Sequence, residues 1–471
     1  MKPYPSYKES GVDWLGRVPA HWEIPRLGAV LCERSETNVD GQIADVLSVT
    51  RDRGVIPYSE KGNIGNKKSD DITRYKIVRP DDIVVNCMNV IIGSVGLSRY
   101  TGCLSPVYYV LKRRQQADMP AYLNAYFQTK SFQLSLVRIG NGILAHRMRI
   151  PMELLKCEPF PRPPSVEQAA IVRFLDHADR RIRRYIRAKR RLIGLLNEQK
   201  QAIIHQAVTR GLDTNVRLKA SGVEWLGDVP EHWEIRQIGH FSKVGNGSTP
   251  ARSNRAYWQS GEFPWLNSSY VKMENVTSAD QFVTSLALQE CHLPRLQPGA
   301  VLVGITGQGK TRGRATILRI NATINQHIAY IAPRSLVMLP EFLQLSLTGF
   351  YQRLRAISDD AGGTKGALTC EDIRHFKVAL PPTTEQREII LAASSTTDKL
   401  TEASAAAERE ITLLQEYRTR LIADVVTGKL DVREAAAKLP EELDEEPEDL
   451  EDATGEEISE SEEESEDNDE N

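Results

Sequence analysis

Lysine and arginine are missing from the last 32 positions of this 471-residue chain, where Pro440 to Asn471 carry 19 acidic residues and no basic one. Cysteine is sparse. The six cysteines, Cys32, Cys87, Cys103, Cys157, Cys291 and Cys370, form no CxxC pair, and His146, His205, His327 and His375 lie at ligand spacing from none of them, which argues against a metal site and for thiols in a reducing compartment. No stretch approaches 18 uninterrupted apolar residues, and MKPYPSYKESG at the start has no apolar signal core, so a cytoplasmic location is expected. GxSxG, HExxH, an EF-hand loop and the NPPY or DPPY of an amino methyltransferase are all absent, so the sequence offers binding surfaces and no reaction centre.

The acidic end hides the charge of the rest. The whole chain is at −3, yet residues 1–439 carry 60 basic against 44 acidic residues, a net of +16. Such a body attracts phosphate backbones through counterion release, while a segment rich in Glu, Asp and Ser and poor in apolar residues is expected to stay disordered. The tail reads first as a solubilising extension; a nucleic-acid mimic competing for the basic surface is the sharper alternative.

What is present in abundance is repetition. SGVDWLGRVPAHWEIPRLG (Ser10 to Gly28) returns 211 residues later as SGVEWLGDVPEHWEIRQIG (Ser221 to Gly239), with 13 of 19 positions identical. PPSVEQAAI from Pro163 returns as PPTTEQREI from Pro381, and Leu195 to Asp213 realigns on Leu413 to Asp431. Units of this size are too long for a solenoid and suit two tandem domains.

Each copy mixes short strands with helix. ADVLSVT (Ala44 to Thr50), DDIVVNC (Asp81 to Cys87) and VYYVLKR (Val107 to Arg113) are β-branched or aromatic and bounded by turn residues, and a helix is expected over Met119–Val137. In the second copy RLQPGAVLVGI (Arg295 to Ile305) matches IVRPDDIVVNC (Ile77 to Cys87), and QHIAYIA precedes a helix over Pro340–Arg355. The fold class is therefore α+β, with one topology used twice and different loops.

A proline pair then heads a long helix in each copy. Ser165 and Thr383 are expected as N-caps, with Gln168 and Gln386 completing capping boxes. Stepping by 4 and 3 gives a first seam of Ile171, Leu175, Ala178, Ile182, Tyr185, Lys189, Leu192, Leu196, Gln199, Ile203 and Gln206. The second is Ile390, Ala393, Thr397, Leu400, Ser404, Ala407, Ile411, Leu414, Arg418, Leu421 and Val425. Each has 8 of 11 apolar positions, which is a coiled-coil pattern. One apolar stripe needs a partner, and the equivalent helix of the other copy, antiparallel, is the nearest one.

GITGQGKT (Gly304 to Thr311) satisfies GxxxxGK[ST] and follows the strand-like AVLV. As a P-loop it would cradle phosphates with its amides and Lys310 and hold magnesium through Thr311, making the chain a P-loop NTPase. A P-loop must open a helix, whereas TRGRATILRI reads as another strand, and the matching NCMNVIIGSVGL has no lysine. A glycine-rich hairpin is the preferred reading, with the NTPase kept as the alternative.

For DNA the useful groups are forked donors and amides on loops. In the first copy these are Arg51, Arg53, Lys61, Asn63, Asn66, Lys67 and Lys68, then Arg147 and Arg149 beside His146. In the second they are Ser248, Arg252, Asn254, Arg255 and Tyr257 in GNGSTPARSNRAYW, Asn267, Ser268 and Lys272 in NSSYVK, Gln308, Lys310, Arg312 and Arg314 in GQGKTRGR, and Lys365 in GGTKG. Each alone could be an ordinary surface residue; as a set on a +16 body they point to DNA. RRIRRYIRAKRR (Arg180 to Arg191) is equally a backbone contact or a solvated helix face. The repeated Trp14, His21 and Trp22, matched by Trp225, His232 and Trp233, read as pins holding the start of each domain on its core, not as ligand readers.

Together, SGVDWLGRVPAHWEI and its repeat, RPDDIVV and QPGAVLV, GSTPARSNRAYW followed by PWLNSSYV, the GQGKTRG loop and PPxxEQ ahead of each helix make the chain resemble the specificity subunit of a type I restriction-modification system, over residues 1 to about 430. The resemblance implies two target-recognition domains, 1–162 and 211–380, each reading half of a split DNA sequence. It implies two conserved helices, 163–210 and 381–430, pairing as an antiparallel coiled coil, with an acidic tail over 431–471 that the family pattern does not cover. It further implies a non-catalytic chain without cofactors of its own. Two methyltransferase subunits would bring S-adenosylmethionine, and restriction motor-nuclease subunits would bring ATP and magnesium. Modules about one helical turn of DNA apart, roughly 34 Å, would face one side of a duplex, with the helices as a ruler for an unread spacer. A lone DNA-binding coiled-coil protein remains the weaker third reading.

Overall fold

The computed structural model describes residues 2–51, 53–62, 67–142, 148–307, 311–334, 337–359 and 366–440. Both proline pairs lead directly into helices: α1, Ser165–Arg210 with 46 residues, and α2, Thr383–Val426 with 44. Ser165 and Thr383 are the first helical residues, not N-caps, and the expected capping boxes do not form. Pro164 has no N–H on which a box could close. Gln168 instead donates to the Pro163 carbonyl at 2.9 Å and accepts the Met119 amide at 2.8 Å. Gln386 repeats this with Pro381 at 2.8 Å and Leu339 at 2.8 Å. A buried amide at the head of each long helix thus ties down the start of the Pro120–Phe127 or Pro340–Gly349 helix.

Residues divide into two units, Met1–Arg190 with Glu408–Glu446, and Arg191–Ala407 with Pro447–Asn471. In the first, strands β1 (Leu31–Glu33), β2 (Leu47–Thr50), β3 (Gly54–Pro57), β4 (Ile83–Asn86), β5 (Val95–Leu97) and β6 (Tyr108–Arg113) include an antiparallel sheet in the order β1-β6-β4-β5. β2 and β3 make a separate hairpin laid on β5. A Cβ at Gly96 would stand 2.6 Å from the Val55 nitrogen, so the approach needs glycine there. The expected helix over Met119–Val137 is broken into Pro120–Phe127, Lys130–Ser135 and a 3-10 turn, Leu136–Ile139. Thr129 caps its own break by donating to the Tyr126 carbonyl at 2.7 Å.

The second unit uses β7 (Ser242–Asn246), β8 (Asn275–Val276), β9 (Val301–Gly304), β10 (Ala315–Leu318) and β11 (Ile328–Pro333) in the order β7-β11-β9-β10-β8. Its first four strands repeat the first unit's order, as the sequence alignment of β4 with β9 requires. Each core takes in one end of the other copy's helix. Leu421, Val425 and Val426 of α2 join the first unit's core, and Ile204, Ala207 and Val208 of α1 join the second's.

Within each unit the helix segments pair antiparallel. In the first, Arg418 bonds to Asp179 and Lys189 meets Glu410 at 2.7 Å; in the second, Lys200 donates to Thr401 at 2.9 Å. Every expected seam position of α2 is buried or half-buried. The α1 seam shifts after Ile182 from Tyr185 and Leu192 to Ile186 and Ile193, leaving Tyr185 53% and Leu192 41% exposed. Adjacent apolar pairs, Tyr185-Ile186 and Leu192-Ile193, satisfy a heptad either way, and packing selects the slimmer β-branched member.

Order also extends past the expected boundary at residue 430. Asp431 pairs with Lys2, Val432 joins the first core, and Ala436 of the short Arg433–Ala437 helix is buried. Residues 441–471 lie outside the described residues. No described helix is long and apolar enough to cross a membrane.

Candidate nucleic-acid interface

The repeated tryptophans and histidines settle onto the helix heads. Trp22 and Trp233 are fully buried. Glu167, the acid of the first PPxxEQ, accepts from Trp22 Nε1 at 2.9 Å and Tyr4 Oη at 2.5 Å and meets His21 Nε2 at 2.8 Å. Burial and this carboxylate push the Tyr4 phenol well above its ordinary range. Glu385 meets only His232, at 2.9 Å, among its described partners. The buried tryptophans and the acids they or the exposed histidines meet fasten each unit.

The surface that can meet a ligand is built at one end of each sheet. In the second unit the register sets Asn246 opposite Ala329 and Gly304 opposite Ile328, so β7 and β9 end level with the start of β11. The loops beyond are bound to one another by backbone bonds. Ile305 donates to His327 at 3.0 Å, Asn325 to Leu266 at 3.0 Å, and Leu368 to Ile305 at 2.8 Å. A Cβ on Gly247 would lie 1.8 Å from the Ile324 carbonyl oxygen, so only glycine lets these loops close. The segments after Asn246, Leu266, Gly304 and Gly366, scattered over 120 residues of sequence, therefore meet at one sheet end.

Sequence candidates occupy this end in different ways. Arg252 stacks over Trp258 at 4.0 Å and Trp265 at 5.0 Å and donates to Gln281 at 2.8 Å, a planar cation held in place by aromatic faces. Asn254 and Asn267 cap their own turns through the Ala256 and Ser269 amides at 3.1 and 3.0 Å, and Ser268 opens the 3-10 turn that Lys272 closes. Tyr257 donates to Glu290 at 2.8 Å, which raises its phenol, and the Ser248 carbonyl accepts from Trp265 at 3.1 Å. Arg255 and Lys272 are exposed, and Arg314 is half-buried beside Gly304. Arg312 departs from its assignment as an exposed donor: it is 3% exposed and its guanidinium donates to the Gly366 carbonyl at 2.5 Å, fastening one loop to another. Gln308, Lys310 and Lys365 lie outside the described residues.

The matching end of the first unit is differently equipped. Arg51 and Arg53 stand at the tip of the β2–β3 hairpin, with Arg53 bonded to the Glu60 carbonyl at 3.1 Å and paired with its carboxylate. Lys61 lies over the Tyr58 ring at 5.2 Å, and the Tyr58 hydroxyl accepts the Lys68 amide at 3.0 Å. Lys67 and Arg149 are exposed; the Arg149 backbone pairs with Asn141, and Ile150 donates to the Cys87 carbonyl at 2.9 Å. Burial pushes the Cys87 thiol up, away from nucleophilic use. Asn63, Asn66, His146 and Arg147 lie outside the described residues. No group of His, Cys, Asp or Glu able to hold a metal occurs among the described residues.

The glycine-rich loop lies between β9 and β10, which are antiparallel with Val301 opposite Ile317. A strand follows it where a P-loop requires a helix whose N-terminus faces the phosphate, so the NTPase reading has no support.

Residues 230–412 match the family model described as the type I restriction modification DNA specificity domain. Over 436 residues the chain is 21% identical to the protein provisionally named type I restriction enzyme MjaX specificity subunit of Methanocaldococcus jannaschii, covering 89% of this chain and 96% of that one. Residues 230–412 thus carry a type I restriction-modification DNA specificity domain, and the chain is similar to a specificity subunit over most of its length. A second specificity subunit of that organism, of the type I restriction enzyme MjaIX, is 26% identical over 171 residues, 35% of this chain and 38% of the other. Among solved structures, a chain from work on complex assembly and conformational transition of a type I restriction-modification system superposes with a TM-score of 0.65 at 15% identity, covering 88% of this chain and 99% of that chain. That likeness bears on the fold. Specificity subunits recognise DNA sequence and are themselves non-catalytic, in keeping with the loop-built sheet ends.

What sequence reasoning missed is Gln326 and His327. Both sit in TINQHIA, which reads only as the start of a strand; the signal available was the pair of polar residues set directly before β-branched Ile328.

Proposed function

We propose that each unit reads one half of an asymmetric, bipartite DNA target, while α1 and α2 set the unread spacer and dock two methyltransferase subunits. What carries this is that one strand order serves twice with different side chains at the corresponding sheet end. The same scaffold then presents two different sets of donors and acceptors, and half-sites differ when the readers do. Cations such as Arg51, Lys67, Arg149, Arg255 and Lys272 supply phosphate attraction, and the amides and stacked groups supply discrimination.

Docking of protein partners is supported by apolar side chains that the helix pairing leaves uncovered: Tyr185, Leu413 and Tyr417 in the first unit, and Leu192, Leu195 and Leu391 in the second, the last 71% exposed. S-adenosylmethionine, ATP and magnesium belong, in this reading, to methyltransferase and motor-nuclease partners working with the chain in the cytoplasm.

The test is to supply a host with this chain and its adenine methyltransferase and map the methylated adenines. The expected product is a two-part motif with a constant gap. Adding a full heptad to both helices should widen the gap and keep both half-sites; altered half-sites at constant gap would refute the spacer role.

A further inference from the structure

Four side chains from three loops form one hydrogen-bonded chain at the sheet end of the second unit. Thr249 Oγ1 donates to Gln326 Oε1 at 2.6 Å, and Gln326 Nε2 meets His327 Nε2 at 3.1 Å. His327 Nδ1 meets Thr306 Oγ1 at 2.8 Å, and the His327 amide is held by Asn325 Oδ1 at 3.0 Å. The order of donors follows from Gln326 Nε2 being the atom that faces His327. An amide nitrogen can only donate, so His327 Nε2 accepts and its Nδ1 carries the proton toward Thr306. Gln326 itself is exposed, its backbone in the loop that leads into β11.

A glutamine amide has two acceptor and two donor positions. Thr249 takes one lone pair of Oε1, and His327 takes one hydrogen of Nε2. Among the described residues one acceptor and one donor position remain on this exposed amide, whose plane both neighbours hold. That is the complement of adenine in the major groove, which offers an N6 donor beside an N7 acceptor. We propose that Gln326 is a specificity-determining residue that reads an adenine in the half-site of the second unit, with Thr249 and His327 as positioning residues. The inference rests on the DNA-reading function above and adds the base and the residue. Aligning β6 with β11 through Tyr108 opposite Asn86 and Ile328 opposite Gly304 places Pro106 and Val107 where Gln326 and His327 stand. The first unit therefore lacks this reader, and the Gln326 contact belongs to the half-site of the second unit.

The experiment is selection of a random duplex DNA library on the full-length chain, comparing wild type with Gln326→Ala, Gln326→Glu and Thr249→Val. Wild type should enrich an adenine at one position of one half-site. Gln326→Ala, an exposed substitution that leaves the core intact, should lower discrimination at that position by about tenfold or more, with every other position unchanged. Gln326→Glu, which can only accept, should move the preference toward cytosine, whose N4 group donates. Thr249→Val should weaken the adenine preference without changing the base. An unchanged motif in Gln326→Ala, or loss at a position where wild type selects another base, overturns the proposal and leaves the DNA-reading function standing. Failure of wild type to enrich any sequence overturns both.

Discussion

The two units share a strand order and a helix-head motif, yet they bury the acid of that motif differently. Glu167 is 4% exposed and accepts from Trp22 and Tyr4 while meeting His21; Glu385 has a side chain 26% exposed and meets His232. The first unit has Tyr4 and the Asp431–Arg433 pair around its acid, where the second has Asn215 at the place of both Tyr4 and Arg433. A duplicated sequence therefore does not imply duplicated energetics. The same glutamate is a buried hub in one copy and an ordinary surface partner in the other, because only the first accepts from the buried indole and from Tyr4.

That difference can be broken most forcefully at its centre. Trp22→Ala should destabilise the first unit by about 3–5 kcal/mol, since a fully buried indole leaves both a cavity and a freed acceptor; chemical denaturation followed by hydrogen exchange in each unit measures it. Next, Glu167→Ala should cost the first unit roughly 3 kcal/mol, because it strands the buried Trp22 N–H and Tyr4 hydroxyl, whereas Glu385→Ala should cost the second less than about 1 kcal/mol. Equal losses would show that the two acids do the same job. Gln168→Ala and Gln386→Ala sharpen the comparison from the opposite side: each bonds its own proline carbonyl and a distant amide, Gln386 adding the Val337 carbonyl at 2.7 Å, so each should cost roughly 1–3 kcal/mol.

Acid gives the smallest and most local effect. The Arg433 guanidinium beside Asp431 holds its carboxyl below the usual range. A carboxyl whose folded pKa is depressed contributes stability above its unfolded value, about 3.9, and loses it as pH falls through the folded one. Exchange protection of residues 431–439 should therefore be present at pH 5 and fall as the pH is lowered below about 4, with no counterpart around the exposed Asp213 of the second unit. Protection that persisted in acid would mean that packing of Val432 and Ala436, not the ion pair, anchors the segment.

Much of this was legible from residues alone. Internal identity at fixed offsets revealed the duplication, alternation bounded by turn residues located β4, β6, β9 and β11, and the β-branched run after the GKT loop marked it as a hairpin. The α2 seam was readable at every position because its apolar residues are isolated among polar ones. The α1 seam was half-readable, since paired apolar residues leave two registers that differ only in what they pack against. The candidate loops were found through their cations, which are rare enough to stand out; Gln326, an uncharged residue in a strand-like phrase, was not.

Local pattern determined the two-module α+β plan, the long helices and the positive body, because periodicity and charge are properties of short stretches. Tertiary structure alone decided that Gln168 and Gln386 bond away from their own helices, that Arg312 is a buried fastener, and that Thr249, Thr306, Gln326 and His327 form one network. Each of those depends on strands far apart in sequence ending at the same level of a sheet, and the hydrogen-bonding capacity of a polar side chain carries no record of which distant partner will use it.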